Sequence, residues 1–126
     1  MLALPARPRH VRAARRFAEE LAAAWGMDED CLDTIVLVVG ELASNAARHG
    51  GGEMSVKVWI AGPELCVEVT DTGPPANLAD ERKPGPGECG RGLEIVARLT
   101  DWYVVDQGPL SRRVRAGFGI VKSPRR

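Results

Sequence analysis

The chain reads as an α+β protein, a two-layer sandwich with helices on one face of a mixed, mostly antiparallel sheet. Three observations predict it. Residues 8–49 carry two successive apolar patterns at helical period, residues 54–71 and 101–120 carry paired alternating patterns, and a Gly/Pro-rich stretch between them leads into a short helix.

Met1–Pro5 reads as a short edge strand, and Pro8 suits a first helical position. In the helix that follows, Val11, Ala14, Phe17, Ala18, Leu21, Ala22 and Trp25 share a face, and Gly26 is placed to end it. Arg12, Arg15 and Arg16 read as its solvated side. Asp28 is the expected N-cap of the second helix, with Glu29 and Asp30 in its first turn, where the helix dipole favours carboxylates. That helix puts Leu32, Ile35, Val36, Val39, Leu42, Ala43, Ala46 and Ala47 on one face and stops at Gly50-Gly51-Gly52. Met54–Ile60 and Leu65–Asp71 alternate around the turn Ala61–Glu64 and make a hairpin. Thr72–Gly90 loses all periodicity, and a connection this long inside a compact domain is the mark of a functional loop or lid. Gly92–Leu99 is a helix. Asp101–Val105 and Arg113–Ile120 are strands joined at Gln107–Pro109. The expected organisation is one domain over residues 1–121 and a disordered basic tail over 122–126.

Composition narrows the function. The 126 residues hold 17 Lys plus Arg and 17 Asp plus Glu, so no net charge advertises a nucleic-acid or membrane partner. No apolar run is long enough to span a bilayer, and MLALPARPRH lacks the apolar core of a secretory leader. Cys31, Cys66 and Cys89 are odd in number and widely spaced, which points to free thiols in a reducing compartment and predicts a cytoplasmic protein.

The candidate chemistry begins with Glu41, Asn45 and His49, at successive i, i+4 steps on what reads as the opposite side of the second helix from its apolar face. A Glu there could take a proton from an incoming hydroxyl, and one amide oxygen could suffice for Mg²⁺, which keeps most of its ligands as water and phosphate. His49 reads as a C-terminal cation or a supporting partner. Asp71 and Gly73 close a buried-looking strand; an aspartate there can accept from an exocyclic amine, and the glycine admits a flat ligand. Gly90-Arg91-Gly92, followed by Leu93, opens a helix, where backbone amides and an arginine suit a phosphate. Taken singly, each has an ordinary reading: a surface Glu, an Asp-x-Gly turn, a glycine-started helix. Their conjunction, in this order, supplies a base, a metal ligand, an adenine acceptor and a phosphate cradle.

With that conjunction on the page, ELASNAARHG resembles the N box, VEVTDTGPP the first glycine box and GRGLEIV the second glycine box of the GHKL ATPases. The compact length, the opening LPARPRHVRAARRFAEELAAAWG and the WYVVD segment are most similar, within that superfamily, to the anti-sigma factor serine/threonine kinases. The resemblance runs from about Leu4 to Ile120. It implies the Bergerat fold, with ATP and Mg²⁺ as cofactors. Glu41 matches the general base, Asn45 the Mg²⁺ ligand, Asp71 and Gly73 the adenine-binding pair, and Gly90 and Gly92 the phosphate turn. It also implies two partners, an anti-anti-sigma (STAS-type) protein phosphorylated on serine and a sigma factor held inactive; whether the chain forms a homodimer stays open.

The sequence departs from the family pattern in two places. Pro75 stands where the first glycine box usually has its second glycine, which stiffens the lid hinge. Pro109–Arg113 stands where relatives often show a Gly-Lys-Thr-like run, so either an arginine substitutes or that contact is absent. The alternative function is a non-catalytic ATP-binding module that acts only by holding a partner. A sensor histidine kinase is disfavoured because the chain has no room for a phosphoacceptor helix pair.

Overall fold

A computed structural model describes residues 1–49, 52–72 and 89–120, and the long helix Glu29–His49 (α2) is the element on which they converge. Its start is set as expected: Asp28 Oδ1 accepts the Cys31 amide at 2.9 Å, satisfying an N–H that has no intrahelical partner. Ahead of it come a strand, Leu2–Pro5 (β1), a 3₁₀ turn over Pro8–His10, and the helix Val11–Ala24 (α1). α1 ends where Gly26 adopts φ +82°, with the Gly26 amide donating to Ala23 O at 3.0 Å and the Met27 amide to Ala22 O at 3.2 Å. That is the paired closure a left-handed glycine permits after a helix.

Then follow Glu53–Ala61 (β2), Glu64–Thr72 (β3), the helix Cys89–Leu99 (α3), Trp102–Gln107 (β4) and Ser111–Gly119 (β5). The strands lie in the order β1-β2-β3-β5-β4, and each of the four pairings is antiparallel. Among the described residues, three α-helices and an open antiparallel sheet make the α+β fold the sequence predicts. The predicted edge strand at the N-terminus pairs with β2, Leu4 opposite Met54. β2 and β3 turn over Gly62-Pro63, and Gly62 at φ +60° meets the positive φ that tight hairpin turns require.

Alternation sorts the strands' two faces. Met54, Val56 and Val58, then Leu65, Val67 and Val69, then Val114, Ala116 and Phe118 are buried, and α2 packs over β2 and β3 with α1 and α3 against its flanks. Coverage on three sides explains why α2 buries more than the single stripe expected of it. Val38 and Gly40 join Ile35, Val39, Leu42, Ala43, Ala46 and Ala47 out of solvent.

The other face of the sheet carries one tight contact. In the register Trp102 stands opposite Gly117, and a Cβ on Gly117 would lie only 2.7–2.8 Å from the indole ring. The ring therefore lies flat on glycine backbone, and its Nε1 donates to Glu64 Oε1 at 3.0 Å, an aromatic cover over a strand glycine. Gly117→Ala is expected to force the indole off this seat and to cost about 1–3 kcal/mol. Urea unfolding would show it as a lower midpoint at unchanged slope; an unchanged midpoint would mean the ring is free to move.

Cys31 and Cys66 are free and buried. Burial, helped by the Asp28 charge, pushes the Cys31 thiol up to about 11, and burial with the Glu64 charge raises Cys66 as well, so both are poor nucleophiles near neutrality. Among the described residues no helix is long and apolar enough to cross a membrane, and no cluster of three His, Cys, Asp or Glu residues could hold a metal.

Candidate functional site

The stripe on α2 is where structure and sequence reading differ most. Asn45 does not lie on a side opposite the core: it is 5% exposed, the one polar residue among the buried described residues, and Glu41 one turn earlier is half-buried. The helical spacing is as read, but α3 packs against α2 as well as α1 does, so the boundary of the core passes through this stripe. Leu37, one turn before Glu41, is 51% exposed. The row therefore runs from solvent at Leu37 through Glu41 to a buried amide at Asn45. A buried carboxamide keeps its place only when its donors and acceptors are satisfied, so Asn45 is a costly residue to bury in an otherwise Val- and Ala-rich helix. His49 ends α2.

Asp71 occupies the end of β3, directly opposite Met54 of β2 and Arg112 of β5. By alternation it shares the helix-covered face with Val67 and Val69, and it is half-buried there. Burial raises its carboxyl above the ordinary carboxylate range, while the Arg112 guanidinium pulls the other way. Because α2 hands over to β2 within a few residues, Asp71 and the C-terminal half of α2 lie at the same end of the sandwich.

At that end Gly52 is squeezed. A Cβ on it would collide with the Thr72 carbonyl oxygen. The Gly52 carbonyl also accepts the Ala6 amide at 2.9 Å, and Thr72 Oγ1 and the Glu53 backbone lie 3.4 Å apart. The strand ends beneath Asp71 are thereby held together by backbone.

α3 begins at Cys89, three residues earlier than the predicted Gly92. Gly90, Arg91 and Gly92 thus lie inside its first turn instead of preceding the helix. The first four amides of a helix have no intrahelical acceptor, so the backbone of Cys89 through Gly92 forms the positive dipole end of α3, which favours an anion. Leu93 follows, half-buried. Gly73, Pro75 and the rest of the expected lid over 73–88 lie outside the described residues, as do Gly50, Gly51 and the 122–126 tail. No local sequence pattern marks Arg112 as part of the site. Only the β3–β5 register places it beside Asp71.

The candidate parts are a half-buried carboxylate and a buried amide on α2, a half-buried aspartate at the end of β3, and the start of α3, a helix that packs against α2.

Comparison with known proteins points the same way. Two proteins of Bacillus licheniformis named "Serine-protein kinase RsbW" are each 27% identical to this chain, across 77% of it and 71% of their own length. The family model described as "Histidine kinase-like ATPase domain" matches residues 4–118. That match takes in all three helices and nearly the whole five-stranded sheet, and the chain belongs to the histidine kinase-like ATPase domain family.

Proposed function

We propose that this protein is an ATP-binding anti-sigma factor serine/threonine kinase, which phosphorylates an anti-anti-sigma antagonist on serine and sequesters a sigma factor. The observation that carries the proposal is the buried Asn45 one helical turn from the half-buried Glu41. Membership of an ATPase domain family and the likeness to serine-protein kinases support it. With this reading go one ATP-binding domain over residues 1–121 and a cytoplasmic location.

The residues fit the cofactors. Asn45 would ligate Mg²⁺, Asp71 with Gly73 would take the adenine, and the amides of Gly90–Gly92, with Arg91 and Leu93 in the same turn, would hold phosphate. Bound Mg-ATP supplies the phosphoryl group and the charge neutralisation that its transfer needs. Glu41 accepts the proton of the partner's serine hydroxyl as that oxygen becomes the nucleophile. Its half-buried position keeps it reachable from the docked partner while water is thinned around it. His49, the last residue of α2, is assigned a supporting role in this reading.

Calorimetry with Mg-ATP on the wild type and on Asn45→Ala tests the site. The expected result is magnesium-dependent binding that weakens about tenfold or more in the variant. A folded wild type that fails to bind at millimolar nucleotide would sink the kinase reading and leave the non-catalytic partner-binding module.

A further inference from the structure

We propose that the groove between α1 and the C-terminal half of α2 is a second ligand site, built for a compact small molecule carrying two or more phosphates. It is a groove open to solvent with a volume of about 690 Å³, within the size range of small-molecule sites. Arg9, Arg12 and Arg15 line one wall, and Ser44 and Arg48 line the other. Glu41, Asn45 and Asp71 take no part in it, so it is separate from the proposed nucleotide site.

The charge in this groove is unusual for where it sits. The start of α1 has no side-chain cap and no acidic residue in its first turn, and Arg9 and Arg12 flank that start. Cations at the positive end of a helix are unfavourable, so the sequence places them against local preference. Among the described residues the ion pairs are those of Asp106 with Arg113 and Arg115. The groove arginines make none with their own chain's described carboxylates, although Glu19 stands four residues after Arg15. An anion bound between the two walls resolves both anomalies at once.

One of the arginines is also held in place. Its Cδ and Nη1 lie 3.1 and 3.2 Å from where a Cβ on Gly40 would stand. The stem of Arg15 therefore rests in a furrow that exists only because residue 40 is glycine, and less side-chain freedom is lost when a ligand arrives. The guanidinium fork suits bidentate recognition of phosphate. The wall from Arg9 to Arg15 is only about 10 Å long at helical rise, and a second charged wall faces it. Such a short two-sided clamp favours compact phosphates over an extended acidic segment, and the apolar Val11 and Ala47 leave room for a small organic part.

Inorganic pyrophosphate, titrated into the full chain with EDTA present, is the probe. Calorimetry should show saturable binding, and the arginine side-chain N–H resonances of Arg12, Arg15 and Arg48 should shift in the NMR spectrum of the wild type. Arg12→Gln and Arg48→Gln should each weaken binding about tenfold while leaving Mg-ATP affinity unchanged, which separates failure here from failure of the nucleotide site. The NMR mapping uses the wild type alone, so a misfolded variant does not blunt the test. No binding at millimolar pyrophosphate, unmoved arginine resonances, or affinity untouched by both substitutions would overturn the proposal. Tighter binding of a Glu-rich peptide than of pyrophosphate at these arginines would overturn it too, in favour of a protein-docking groove.

Discussion

Under the proposed function, Glu41→Gln is expected to lower the rate of phosphoryl transfer to the antagonist's serine by about 10²–10⁴-fold, the contribution of a positioned general base, and to leave Mg-ATP affinity unchanged. Glutamine preserves the shape and the half-buried position on α2 but cannot take up the hydroxyl proton. Asn45, one turn on, is untouched. Single-turnover transfer from labelled ATP at saturating nucleotide reads the chemical step, and calorimetry reads the affinity. Undiminished transfer would assign the base elsewhere. A wild type that binds nucleotide and antagonist yet transfers nothing would establish the silent module instead.

The second large effect sets function against stability. Asp71→Asn should weaken nucleotide binding by about 10–100-fold, the value of one hydrogen bond to a charged acceptor, yet raise the melting temperature of the nucleotide-free protein at neutral pH. Burial lifts the Asp71 carboxyl above its ordinary 3.8, with Arg112 opposing it. A raised folded-state value means that the protonated form is the one the fold prefers. Its stabilising contribution is present at low pH and lost as pH rises through that value, leaving a desolvated charge as a cost above it. Asparagine removes that cost, so the gain in melting temperature should be seen at pH 7 and shrink on acidification toward pH 4. A variant less stable than wild type at pH 7 would show that attraction to Arg112 outweighs burial.

Local signals were legible where they depended on neighbours in sequence. Asp28 caps α2, Gly26 and Gly62 take the positive φ their turns need, and the alternation of 54–71 yields the hairpin in register. The Glu41–Asn45 spacing was legible too, but its exposure was not. A helical wheel assumes one covered face, whereas α2 is covered by the sheet and by two helices. α3 starts earlier than its sequence pattern predicts because two glycines weaken the helical signal of its first turn. Arg112 beside Asp71 and the facing arginines of the α1–α2 groove come from tertiary pairing of distant segments, which no local pattern encodes.

The strand order has a consequence for how the chain assembles. β5 is last in sequence yet lies inside the sheet, inserted between β3 and β4. Until Ser111–Gly119 is synthesised, β3 presents a bare edge rich in valine, and β4 has no partner in the sheet. Contacts of this sequence separation are slow to form, and an unpaired apolar edge recruits other chains. The nascent chain is therefore exposed to misassociation until β5 emerges, because the α1–α2 pair and the first hairpin precede it in sequence while the seam through the middle of the sheet is still open.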